Sequence, residues 1–263
     1  MNLEQVIFLA IVQGLTEFFP ISSSGHLVFF QSLFKAEKPQ LFFDVMLHLG
    51  TLLAVIVFFR ADLKMILQGI GGVFQGKEKA GNGIKLLLWI LLATIPTGLM
   101  AVFLHDWFES FFFKPKLVGV MLLLTGGGLW LTRFTKKEGR GLEQMGWSDS
   151  LLIGISQGIA ILPGISRSGA TISTGIFLGL DRELSGRFSF LLSIPAILGA
   201  TLLESRHLET ISSPWMAFVG MIIAFGVGIF SLTFLMKIIK FGSIKNFSYY
   251  CFVVGGLMVF LTK

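Results

Sequence analysis

Two apolar stretches of this chain are interrupted by the same pattern. QGLTEFFPISSSG at residues 13–25 aligns without gaps on QGIAILPGISRSG at residues 157–169, where Gln, Gly, Ile, Ser, Ser and Gly match. A repeat of this span means that what the first half builds, the second half builds again. Each break holds proline, glycine and hydroxyl side chains, which end a helix and leave backbone groups in need of partners. The arms on either side run only about 10–16 residues, too short for a membrane span of about 20. Both stretches, 5–34 and 151–180, are therefore read as re-entrant helix pairs, with a pair of kinked spanning helices as the alternative.

Six further segments reach or approach spanning length: 41–59, 86–104, 117–134, 188–203, 215–236 and 247–262. The composition agrees, with 54% hydrophobic and only 14% charged residues and a mean hydropathy of +0.81. That excludes an ordinary soluble domain and predicts an all-α polytopic membrane protein. A single cysteine, Cys251, excludes an intrachain disulfide framework. The apolar start has no basic leader region or small-residue cleavage site, so it is not read as a removed signal peptide.

Three spans follow each break. The chain thus divides into repeats 1–134 and 147–263, joined by the polar stretch 135–146, within one membrane domain. Three is odd, so the second repeat is expected upside down relative to the first, bringing the two breaks together near the midplane. Of the 21 lysines and arginines, 14 fall on one side and 6 on the other, with Arg167 left in the membrane. The positive-inside rule makes the richer side cytoplasmic and places both termini outside. The net charge of +6 follows from this loop bias rather than from nucleic-acid binding.

Each break is followed by a half-helix whose first amides lack intrahelical acceptors and whose dipole end is positive. Ser22, Ser24, Gly25, Ser166, Ser168 and Gly169 supply capping hydroxyls and close backbone approach. Two such ends facing each other form an anion site. Arg167 adds a planar donor fork suited to phosphate, with a structural pair to Glu17 as the alternative. Glu17 lies four residues after Gln13, on the same helix face. Together they are candidate ligands for Mg²⁺ or Ca²⁺ beside bound phosphates, and Glu17 is alternatively a base. The spacing of His26 from Ser22 and Ser23 brings its imidazole near a hydroxyl, so serine, histidine and water all remain open as the attacking group. Asp44 and His48 are read as a local pair, His105 and His207 as loop residues, and Pro96 and Pro195 as packing features. The glycines at 126–128 and 255–256 predict close helix contact between the repeats.

At these residues the chain closely resembles the undecaprenyl-diphosphate phosphatase family, the bacitracin-resistance type of integral membrane enzyme. That family carries a Glu/Gln-x-x-x-Glu element before a Ser-rich Gly-His loop, here Gln13–Glu17 and Ser22-Ser23-Ser24-Gly25-His26. It also carries Pro-Gly-x-Ser-Arg-Ser-x-x-Thr, here running from Pro163 to Thr171. Gln13 is the amide variant of the first position, so the element offers at most one carboxylate to a metal. The resemblance covers essentially the whole chain and implies hydrolysis of undecaprenyl diphosphate in the bacterial plasma membrane. By similarity Glu17, Ser23, His26 and Arg167 are the expected catalytic residues, with Ser166 and Thr171 supporting the phosphate site. The expected partners are a prenyl diphosphate lipid and the bilayer, with no nucleic acid; a homo-oligomer is left open. The rival reading is a transporter or flippase of an anionic lipid or small anion, because interrupted inverted repeats also build transporters.

Overall fold

The computed structural model describes residues 2–33, 41–75, 81–104, 107–108, 111, 114–136, 138–204, 214–242 and 244–262. His105 and His207, and several of the lysines counted for orientation, lie outside these residues. Among the described residues there are eleven α-helices: α1 Leu3–Thr16, α2 Ser23–Leu33, α3 Leu41–Phe58, α4 Arg60–Phe74, α5 Asn82–Phe103, α6 Pro115–Leu131, α7 Trp147–Ile159, α8 Arg167–Phe177, α9 Arg182–Glu204, α10 Pro214–Lys240 and α11 Phe247–Leu261. The chain is an all-α polytopic membrane protein, with one isolated β-bridge, between Arg140 and Leu180, among the described residues.

Five helical segments are long and apolar enough to cross a bilayer, and α3 with α4 makes a sixth bent by 70°. α5 shows why such a helix belongs in lipid. Leu88, Leu91, Ile95, Leu99 and Val102 form an exposed apolar stripe, while Leu86, Ile90, Ala93 and Thr97 face inward. A helix that is apolar on both faces buries one in protein and the other in hydrocarbon. Each expected span coincides with a helix. Helices α9 and α10 extend beyond the apolar windows because Arg182, Glu183, Arg187, Lys237 and Lys240 continue the backbone into polar surroundings. Pro96 and Pro195 lie inside α5 and α9.

Helix α4 is the element the sequence reading omitted. The span expected at 41–59 stops at the bend, where Arg60, Asp62 and Lys64 begin a helix with one polar and one apolar face. Among the described residues α9, ending at Glu204, is followed by α10 from Pro214.

The half-helices α1, α2, α7 and α8 run 14, 11, 13 and 11 residues. At about 1.5 Å per residue none crosses a hydrocarbon core of about 30 Å alone. Each entering half-helix packs on the middle span of the other half. A Cβ on Gly14 would approach Val227 Cβ to 2.7 Å on α10, and repeat-matched Gly158 lies against Met100 on α5. Helices α6 and α11 also meet closely: a Cβ at Gly126 would sit 2.9 Å from the Phe252 ring, and one at Gly255 2.9 Å from the Gly119 carbonyl. Gly127, Gly128 and Gly256 face open space, so only one glycine of each cluster makes the expected contact.

The polar connection between the halves is pinned rather than loose. Arg140 donates to both carboxylate oxygens of Asp149, at 2.8 and 3.0 Å, and to the Leu178 carbonyl at 2.8 Å.

Candidate active site

Helix α1 ends at Thr16 because Pro20, three residues past its cap, has no N–H for a continuing turn. Helix α7 ends before Pro163-Gly164, where Gly164 takes φ +95°, a conformation open to glycine at little cost. The two breaks are buried against each other. Gly164 N–H donates to Ser22 Oγ at 3.2 Å, and a Cβ on Gly169 would lie 3.2 Å from Pro20 Cβ.

Ser22 is the one non-glycine described residue in the left-handed region, at φ +68°. That conformation costs a serine on the order of 1 kcal/mol. Its hydroxyl offsets the cost by accepting from both Gly164 and Gly25 N–H, the latter at 3.4 Å, and it also lies 3.4 Å from Ser24 Oγ. The matching Ser166 instead has ordinary extended backbone and caps α8 through Gly169 N–H at 3.1 Å. Ser168 Oγ is 3.2 Å from Ser166 Oγ, and Thr171 Oγ1 is 2.5 Å from Ser189 Oγ. These three second-repeat hydroxyls are buried and shape the start of α8.

Glu17 is the centre of the cluster. Its Oε1 accepts from Arg167 Nη2 at 2.6 Å. Its Oε2 accepts from Ser23 Oγ at 2.7 Å and from Gln13 Nε2 at 3.1 Å. The pair between Glu17 and Arg167 that the sequence offered as the structural alternative is therefore formed. Arg167 Nη1 remains buried without a hydrogen-bond partner among the described residues, so half of the guanidinium fork is uncommitted.

His26 does not face a serine hydroxyl. Its Nδ1 lies 2.7 Å from the Ser22 carbonyl oxygen and its Nε2 2.6 Å from Tyr250 Oη. Ser23, the residue expected beside it, turns to Glu17. Two site neighbours were not foreseen. His48 Nδ1 lies 3.1 Å from Gln13 Nε2 and 3.7 Å from Glu17 Oε2, and Tyr250 comes from the last helix. A polar i,i+4 pair inside an apolar span was the available signal for His48; Tyr250 gave none, because a tyrosine near a membrane helix end is ordinary.

No group of three or more His, Cys, Asp or Glu gathers among the described residues. The donor set here is instead Glu17, the Gln13 amide and His48. Gln13 Oε1 is buried without a partner, while its Nε2 serves Glu17 and His48. Turning that amide over would present an oxygen to the Glu17 side. The residues thus fit a hard divalent cation at Glu17 and Gln13 once the amide is reversed.

Beside the cluster opens an apolar cavity of about 260 Å³. Ser22, Gly25, His26 and Gly164 line its inner end; Phe29, Val254, Leu257 and Leu261 are among its walls.

The bacitracin resistance protein BacA family model matches residues 6–257. An undecaprenyl-diphosphatase of Desulfosudis oleivorans is 45% identical over 267 residues, covering 98% of this chain and 97% of that protein. Proteins of the same name from Desulfatibacillum aliphaticivorans and Korarchaeum cryptofilum are each 42% identical, and each comparison covers 97% of both chains. On this full-length match, the chain belongs to the bacitracin resistance protein BacA family.

Proposed function

We infer that the chain is an undecaprenyl-diphosphate phosphatase of the membrane, releasing inorganic phosphate and leaving undecaprenyl phosphate. That returns the lipid carrier to cell-wall synthesis and removes the diphosphate lipid that bacitracin binds. One observation carries the reading: the two breaks that join Glu17 to Arg167 and Ser23 also give Ser22, Gly25, His26 and Gly164 to the lining of an apolar cavity. A diphosphate with a prenyl tail has the same two chemical parts in the same order.

The contacts support one set of roles. Arg167 uses its uncommitted Nη1 to take a phosphate oxygen, and the amides at the start of α2 and α8 add partial positive charge. Ser23 donates to Glu17, the arrangement of a nucleophile beside a base. Ser23 Oγ attacks the terminal phosphorus as its proton passes to Glu17. The bond to the bridging oxygen breaks and prenyl phosphate leaves; water then hydrolyses the phosphoserine. His26, which lines the cavity, acts beside the leaving group. Glu17 and Gln13 would hold a divalent cation, which would supply charge neutralisation at the phosphates.

In this reading the second repeat lies inverted relative to the first, and both termini face outward, as the lysine and arginine bias favours. Leu257→Trp tests the tail seat. It should raise KM for undecaprenyl diphosphate while leaving turnover of a short-chain prenyl diphosphate unchanged. Equal loss on both substrates would contradict the groove assignment.

A further inference from the structure

We propose that Tyr250 is a positioning residue for His26, holding in one orientation at the groove wall an imidazole whose tautomer the Ser22 carbonyl sets. The kinetic part of this proposal rests on the phosphatase reading above; the structural part does not.

Nδ1 defines the tautomer. The Ser22 carbonyl oxygen 2.7 Å away can only accept, so Nδ1 carries a proton. In the neutral ring the lone pair is then on Nε2, 2.6 Å from Tyr250 Oη, and the phenol donates to it. If the ring takes a second proton, the same phenol oxygen accepts. A phenol is suited to both states of the imidazole, whereas a phenyl ring suits neither. The two rings are also nearly parallel, 18° apart with centroids 5.7 Å apart.

Both clamps on His26 are fixed by the meeting of the breaks. The Ser22 carbonyl belongs to the left-handed residue whose hydroxyl accepts from Gly164 N–H. Tyr250 sits on α11, which is anchored to the first break on both sides of that residue. Cys251 Sγ donates to the Pro20 carbonyl at 3.6 Å, and the Phe247 ring lies 5.3 Å from Phe19. The imidazole of His26 is therefore held in part by a residue 224 positions away in the chain. Ser22, His26, Gly164 and Tyr250 all line the same cavity. Tyr250 is 41% exposed and lines the cavity, so its ring forms part of the groove wall beside His26. Among the described residues Tyr250 Oη bonds to His26, and its role is to orient that imidazole.

The test uses the purified full chain, with Tyr250→Phe, His26→Gln and the double variant. Tyr250→Phe removes one oxygen and keeps the ring. It should lower kcat on the order of tenfold, a part of what a placed acid–base group contributes, with KM unchanged. In the His26→Gln background it should cost nothing further. A wild-type kcat in Tyr250→Phe, or the same fold loss with and without His26, would overturn the proposal. A second readout needs no turnover. Histidine ¹⁵N spectra, with His26 assigned by its loss in His26→Gln, should show the Nδ1–H tautomer in both proteins and an Nε2 resonance shifted in Tyr250→Phe, where the phenol no longer donates to its lone pair. An unchanged spectrum would overturn the positioning role even if the wild type released no phosphate, a result that would separately refute the phosphatase reading.

Discussion

Arg167 and Glu17 stand 150 residues apart in sequence and 2.6 Å apart in space. One comes from each break, so this contact is where the two halves of the chain become one site. Both side chains are largely buried, at 16% and 6% exposed. Breaking such a pair from one end leaves an uncompensated charge, at a cost of about 3–5 kcal/mol. Glu17→Ala and Arg167→Ala should each lower thermal stability and abolish phosphate release. Glu17→Gln combined with Arg167→Gln should recover most of the lost Tm, read by thermal unfolding in detergent, but none of the activity.

Ser22 is the second point of dependence. Removing its hydroxyl leaves Gly164 and Gly25 N–H without their acceptor, at about 1–3 kcal/mol. Ser22→Ala should destabilise by that amount. Ser22→Val should cost more, since a β-branched residue is a poor occupant of positive φ. Equal melting temperatures for the two variants would argue against the left-handed conformation.

The crossed packing of the half-helices predicts an asymmetry between matching glycines. At Gly14 an added methyl meets Val227 Cβ, beside the backbone, and the Ala224 carbonyl at 3.0 Å. At Gly158 it meets Met100 first at Sδ, the flexible part of a side chain. Gly14→Ala should therefore lose more stability than Gly158→Ala, with overpacking costs of about 1–3 kcal/mol setting the scale. Unfolding midpoints of the two variants check the order.

The pinned connection between the halves gives a pH dependence. Burial pushes the Asp149 carboxyl up, but hydrogen bonds from Arg140 and the Gly146 N–H, with the Arg140 charge, outweigh it and hold the group below its ordinary value. A carboxyl held lower in the folded state contributes stability above its unfolded pKa of about 4, lost as pH falls through the folded value. Asp149→Asn should thus be less stable than wild type at neutral pH, with the difference shrinking in acid. A constant difference in melting temperature from neutral to acid pH would contradict the linkage.

Much of the fold is readable from one sequence because lipid imposes simple rules. Spans must be long and apolar, and a break at depth needs partners. The repeated Gln-Gly and Ile-Ser-x-Ser-Gly pattern identifies both breaks and predicts that Glu17 and Arg167 share a site. Helix α4 escapes that logic because its single apolar face reads as a loop flanking a span. His48 and Tyr250 escape it for another reason. Each reaches the site through helix packing at long sequence distance, 35 residues from Gln13 and 224 from His26, and neither belongs to a motif. The orientation of His26 differs from the expectation because its spacing from Ser22 is right but the contact uses the Ser22 carbonyl and not a hydroxyl.

Phosphate release from undecaprenyl diphosphate by the purified chain, with Mg²⁺ or Ca²⁺ and with EDTA, tests the central claim most directly. Glu17→Ala and Arg167→Ala, refolding-checked, belong in the same series. The account predicts cation-dependent release by the wild type and none by either variant. Absence of release from a well-folded wild type supplied with cation, or undiminished release from either variant, would contradict it.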